Sequence, residues 1–179
     1  MNTPNKLTML RIFIVPLFMM FLMVRQIPYH TAIALVVFLL ASVTDLIDGK
    51  LARKYNQITN FGKLMDPLAD KLLVTSALVC FVGLGLCDVW AVVLIISREF
   101  LVTSIRLIAA GSGTVIAANI WGKIKTNSQI VAIVAVMLFS IFSLPVYIGE
   151  IFIWIAALFT VASGIQYAWS YRAYLSAKD

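Results

Sequence analysis

The sequence predicts an all-α integral membrane protein with six transmembrane helices and both termini in the cytosol. Three observations predict it. Hydrophobic residues make up 62% of the 179 positions and charged ones 12%, against roughly half and a quarter in soluble domains. The apolar residues fall into six runs that approach the ~20 residues a membrane helix needs. The Lys and Arg residues gather on one side of those runs. So few charges exclude a water-soluble surface, and so much apolar sequence excludes disorder. The net charge of +6 does not indicate nucleic acid, because the bases punctuate apolar runs rather than cluster on a soluble face.

The expected spans are 8–25, 31–53, 61–83, 88–110, 122–143 and 146–171. Turn chemistry marks the breaks at Ile27-Pro28-Tyr29, Gly83-Leu84-Gly85, Gly111-Ser112-Gly113 and Leu144-Pro145. The first run, Ile12 to Val24, lacks a small-residue cleavage site and meets Arg25 at once, so it reads as a retained span rather than a cleaved signal. No repeat or composition shift divides the chain, and 1–179 is expected to form a single domain. Lys6, Arg11, Lys50, Arg53, Lys54, Lys63, Lys123, Lys125, Arg172 and Lys178 lie on or near one side. Arg25 lies on the other, and Lys71, Arg98 and Arg106 fall within spans. That asymmetry sets both termini in the cytosol. Cys80 and Cys87 have neither the spacing nor the context of a disulfide framework or zinc site, and read as small buried hydrophobes.

Four of the eight acidic residues, Asp45, Asp48, Asp66 and Asp70, sit at the cytosolic ends of spans two and three. A lone charge near mid-membrane costs at least ~3 kcal/mol, so four together need compensation. At 3.6 residues per turn, Asp45, Asp48, Gly49 and Ala52 share one face of span two, and Gly62, Asp66 and Asp70 one stripe of span three. Facing stripes would bring four carboxylates together, and their four negative charges balance two divalent cations. Oxygen donors without His or Cys select hard ions, Mg²⁺ or Mn²⁺, and a pair of such ions suits in-line displacement at phosphorus. Gly49, Ala52 and Gly62 lack bulk, so a diphosphate can approach the helix backbones, and Arg53 offers a forked donor for phosphate oxygens. The competing reading is an aspartate-lined, ion-coupled transporter, with its small residues serving only helix packing. A transporter predicts paired inverted halves, whereas these acids crowd into one third of the chain.

Written out, the stretch is Asp45-x2-Asp48-Gly49-x2-Ala52-Arg53-x8-Gly62-x3-Asp66-x3-Asp70. It resembles the signature of the CDP-alcohol phosphotransferase family at every defining position. Pro4-Asn5-x2-Thr8-x2-Arg11, Asp66-Pro67-x-Ala69-Asp70-Lys71, Ser97-Arg98-Glu99-Phe100 and Gly122-Lys123-Ile124-Lys125-Thr126 extend the likeness over the first three-quarters of the chain. The final two spans look generic. The resemblance implies a homodimeric six-helix enzyme in the bacterial cytoplasmic membrane, with a polar active-site cavity open to the cytosolic side, that transfers a phosphatidyl group from CDP-diacylglycerol to glycerol 3-phosphate, releasing CMP. Inositol phosphate, phosphatidylglycerol and serine are the alternative acceptors within the family.

By resemblance and charge logic together, Asp45, Asp48, Asp66 and Asp70 are expected to hold the metals, and Asp70 also to accept the proton of the attacking hydroxyl. The nucleotide is expected against Gly49, Ala52, Arg53 and Gly62, with Asn5, Thr8 and Arg11 as secondary candidates. A helix start would equally explain Asn5 and Thr8, and topology would explain Arg11, Lys50, Lys54 and Lys63. The acceptor's own phosphate needs cations. Arg98 and Arg106 lie about 80° apart around span four, and Lys123 and Lys125 enter span five from the same side. Glu99 is an available partner, but two arginines against one glutamate leave positive charge over. Lys71 balances the neighbouring aspartates. Pro67 marks a first helical turn or a kink. His30 reads as an interfacial residue, and Trp154, Tyr167, Trp169, Tyr171 and Tyr174 as bilayer anchors.

Overall fold

A computed structural model describes the backbone of residues 3–55, 60–111 and 120–170, and side chains at 9–10, 12–44, 71–106 and 120–170. The described residues form six helices: α1 (Thr3–Met23), α2 (His30–Tyr55), α3 (Asn60–Gly83), α4 (Val89–Gly111), α5 (Ile120–Ile141) and α6 (Val146–Ser170). Each coincides with an expected span to within a few residues. α1 already runs from Thr3, so Thr8 lies beyond its first turn, and α3 runs from Asn60, which places Pro67 inside it rather than in its first turn. Among the described residues α5 and α6 are long and apolar enough to cross a bilayer, with mean hydropathies of 1.6 and 1.9. α4 carries Arg98, Glu99 and Arg106 within its apolar sequence, which lowers its hydropathy.

The connections show why the helices stop where they do. After α5, Leu144 N donates to Phe139 O at 2.8 Å and Ser143 N to Ser140 O at 3.2 Å. Ser143 adopts φ 53°. That is a Schellman ending, with serine in the left-handed position that usually takes glycine. Gly85, after α3, has φ 69°. Asp88 caps α4, its Oδ1 accepting from Trp90 N at 3.0 Å. Along the helices, hydroxyls turn back on their own backbone, as Ser42 to Phe38 O at 2.8 Å and Thr160 to Ala156 O at 2.6 Å. Each thereby satisfies a polar group that lipid cannot.

The chain divides into two compact units, Met1–Leu84 with Met137–Leu144, and Gly85–Val136 with Pro145–Asp179. In the first, α1 packs on both α2 and α3. Phe18 and Phe38 are fully buried with ring centroids 5.8 Å apart and planes tilted by 48°. Ala34, Ala41 and Ala77 are buried too, while Phe13, Leu40 and Val79 stay exposed. Apolar residues cover both faces, as expected where association depends on close packing rather than on escape from water.

In the second unit α4 packs on α6. The buried row of α4 is Ala91, Ile95, Arg98, Val102 and Ile105, and that of α6 is Gly149, Ile153, Ala156, Thr160, Ser163 and Tyr167. Both follow the alternating four-and-three spacing of a coiled-coil seam. Lys125, Gln129, Ala132 and Val136 continue the same spacing on α5. A Cβ on Gly149 would meet Val136 Cγ2 at 3.2 Å and Val136 Cα at 3.4 Å, so the missing side chain is what lets α6 approach α5 there.

Candidate functional site

α2 carries Asp45, Asp48, Gly49, Ala52 and Arg53, and α3 carries Gly62, Asp66 and Asp70. Both stretches are continuous helix, the backbone that the two stripes require. The side chains of these residues, and of Asn5, Thr8 and Arg11 on α1, lie outside the described residues. The donor set itself fits a hard divalent ion: four carboxylates, no thiol, no imidazole.

The basic candidates are described in full within the second unit. Arg98 is 8% exposed and Lys125 6%. Glu99 Oε1 accepts from Arg98 Nη1 at 3.2 Å and also from Lys125 Nζ. The carboxylate therefore ties α4 to α5 and partly offsets two cations at once. Arg98 Nη2 donates to the Ser163 hydroxyl at 2.5 Å, and Arg98 Nε is buried with no hydrogen-bond partner among the described residues. Two turns further along α4, Arg106 donates to the Tyr167 hydroxyl through Nη2 at 2.6 Å and Nε at 3.2 Å, with Cζ 5.2 Å from the ring centroid. One turn before Ser163 on α6, Thr160 Oγ1 accepts from Gln129 Nε2 at 3.1 Å. Lys123 is exposed on α5 and stands outside this cluster.

Two readings made from the sequence need correction. Tyr167 is not a bilayer anchor: it is 2% exposed and holds Arg106. Trp169, two positions on, is 71% exposed. Nor is α6 generic. Thr160, Ser163, Gly164 and Tyr167 form a small and hydroxyl-bearing stripe on an otherwise apolar helix, and the α4 arginines rest against it. Its spacing was visible in the sequence; its partners were not. Tyr171 and Tyr174 lie outside the described residues. Of the two cysteines, Cys80 is buried in α3, and Cys87 lies in the turn before α4. Burial first, then Glu150 and Asp88, push the Cys87 thiol up to about 12.

The arrangement is a helical membrane-type scaffold with a carboxylate-rich stretch on α2 and α3 and a buried, cation-rich seam along α4, α5 and α6. The chain belongs to the CDP-alcohol phosphatidyltransferase family, whose model matches residues 1–162. It is 45% identical over 181 aligned residues to the CDP-diacylglycerol–glycerol-3-phosphate 3-phosphatidyltransferase of Bacillus subtilis (strain 168), covering 93% of each chain. It is 37% identical to the protein of the same description from Rickettsia bellii, again over 93% of each chain. It is 41% identical to a probable phosphatidylglycerophosphate synthase of Mycobacterium tuberculosis (strain ATCC 25618 / H37Rv), covering 93% of this chain and 79% of that one.

Proposed function

We propose that this chain transfers the phosphatidyl group of CDP-diacylglycerol to glycerol 3-phosphate, giving phosphatidylglycerol phosphate and CMP. A hydroxyl oxygen of the acceptor bonds to the lipid-bearing phosphorus, and the pyrophosphate P–O bond to CMP breaks. Asp70 takes the hydroxyl proton, while Asp45, Asp48, Asp66 and Asp70 supply the oxygen donors for two divalent cations, Mg²⁺ or Mn²⁺. When bound, those cations offset charge on the diphosphate and stabilise the departing CMP oxygen. Gly49, Ala52 and Gly62 leave room for the nucleotide, Arg53 bonds its phosphates, and Asn5, Thr8 and Arg11 border it. Arg98, Arg106 and Lys125 bind the acceptor's phosphate. Lys123 contributes only longer-range attraction, since it is exposed and screened by salt. The whole chain works as one domain and as a homodimer, with six spans in the bacterial cytoplasmic membrane, both termini and the active-site cavity toward the cytosol.

One observation carries the choice of acceptor. Arg98 and Lys125 share a single described carboxylate, Glu99, and Arg106 is held by the neutral Tyr167 hydroxyl. Arg98 Nε is buried with no hydrogen-bond partner among the described residues, and a phosphorylated acceptor brings a dianion to these cations where serine does not. The test is CMP release from purified protein given CDP-diacylglycerol, Mg²⁺ and, in turn, glycerol 3-phosphate, inositol phosphate, phosphatidylglycerol and serine. Glycerol 3-phosphate is expected to give the highest kcat/KM, and preference for serine would overturn the assignment.

A further inference from the structure

We infer that α6 is the positioning element for the acceptor site: Ser163, Gly164 and Tyr167 preset Arg98 and Arg106 for a phosphate while adding no negative charge of their own. The inference rests on the acceptor reading above and adds three residues that touch no reacting atom. The geometry is specific at each. A Cβ on Gly164 would lie 2.8 Å from Arg98 Cγ and 3.6 Å from its Nε. Arg98 therefore runs directly across the bare backbone of α6, and its stem, not its flexible tip, is what an alanine would displace. Ser163 receives Nη2 of the same guanidinium at 2.5 Å, which fixes its rotation about the last side-chain bonds. Tyr167 receives Nε and Nη2 of Arg106, which leaves Nη1 outside that pair.

The chemistry of the partners matters more than their number. Arg98 already shares the Glu99 carboxylate with Lys125, and a carboxylate on α6 opposite either arginine would hold it equally well but would cancel the charge that draws an anion. Hydroxyls accept the same hydrogen bonds with no formal charge, so the order of a salt bridge is obtained while the cation stays available. Arg98 is 92% buried by the complement of its 8% exposure, and its Nε keeps an unspent donor among the described residues. A buried donor in that state is one that an incoming phosphate oxygen can satisfy, and presetting the fork reduces the ordering cost of binding.

The experiment is steady-state kinetics on the full chain in nanodiscs for wild type, Tyr167→Phe, Gly164→Ala and Ser163→Asp, with both substrates varied and inorganic phosphate as a competitive probe. Tyr167→Phe and Gly164→Ala are each expected to raise KM for glycerol 3-phosphate about tenfold, the scale of one hydrogen bond to a charged group. KM for CDP-diacylglycerol should move less than about twofold and the Ki of phosphate should rise in parallel. Ser163→Asp should weaken glycerol 3-phosphate and phosphate most, because it neutralises as well as binds. Unchanged acceptor KM in the folded variants overturns the inference, as does a fall in kcat with both KM values moving together, the mark of a merely structural role. Should Gly164→Ala not fold, Tyr167→Phe decides, since it removes a single oxygen. A wild type that ignores glycerol 3-phosphate overturns the functional reading itself, and this shows before any variant is compared.

Discussion

Arg98 and Ser163 are 65 positions apart in the chain, and the 2.5 Å bond from Nη2 to Oγ joins α4 to α6. Arg98 occupies a seam position that its neighbours Ile95 and Val102 fill with apolar side chains. A guanidinium there costs far more than an isoleucine unless its donors are met, and they are met by Glu99 and Ser163 with Nε left over. Arg98→Ala should therefore lower kcat/KM for glycerol 3-phosphate by about 10²–10³, equivalent to ~3–4 kcal/mol. Arg98→Lys should recover little of it, because an ammonium cannot reproduce the fork. Acceptor-dependent CMP release checks both, and a lysine variant close to wild type would remove the case for bidentate recognition.

The carboxylates on α2 and α3 make a separate prediction. Asp70→Asn removes a base and keeps nearly the same shape, so turnover should vanish while CDP-diacylglycerol still binds. Chelation with EDTA should abolish activity in the wild type, and added Mg²⁺ or Mn²⁺ should restore it. Asp45→Asn and Asp48→Asn should raise the metal concentration needed for half-maximal rate. Near-normal turnover by Asp70→Asn at saturating metal would reject its role as proton acceptor.

Cys87 offers a test in the turn before α4. Burial, Glu150 and Asp88 disfavour its thiolate and push the thiol up to about 12. An ordinary thiol ionises near 8.5. Between those values the folded chain keeps a proton that the unfolded chain releases, so this group's contribution is fully present below about 8.5 and is lost as pH rises toward 12. At pH 7.5 iodoacetamide should alkylate Cys87 about a thousandfold more slowly than an exposed cysteine, because the thiolate is the nucleophile. The rate should climb about tenfold per pH unit up to pH 11. Glu150→Gln should speed it, and mass-spectrometric labelling rates read all three effects.

How much of this the sequence disclosed depends on the distance over which each signal acts. Helix existence was legible because apolar runs and breakers such as Pro28 and Pro145 are local. The signature from Asp45 to Asp70 was legible because it lies on two consecutive helices with fixed spacing. The arginines of α4 were legible as misplaced charges, and Glu99 as their neighbour. What pairs with them was not, since Ser163 and Tyr167 are more than 60 positions away. A tyrosine near the end of a span reads as an interfacial anchor until the seam that buries it is known. The small-residue spacing on α6 was the available signal, and it marks close packing without naming the partner.

Ser143 provides the last test, one of stability alone. Its φ of 53° closes α5 through the bonds from Leu144 N to Phe139 O and from Ser143 N to Ser140 O. A left-handed conformation costs a residue with a Cβ roughly 1 kcal/mol that glycine does not pay, while glycine costs more to order from the unfolded chain. The first effect should win, because the conformation is imposed by two backbone hydrogen bonds that a substitution leaves in place. Ser143→Gly should stabilise by up to about 0.5 kcal/mol once the two effects are subtracted, and Ser143→Val should destabilise by more, its branched Cβ being least tolerant of positive φ. Thermal unfolding in one detergent orders the three proteins as glycine, serine, valine. Activity should be unaffected by the glycine, since the turn carries none of the acidic or basic candidates. A valine variant as stable as wild type would show that the ending of α5 is set elsewhere.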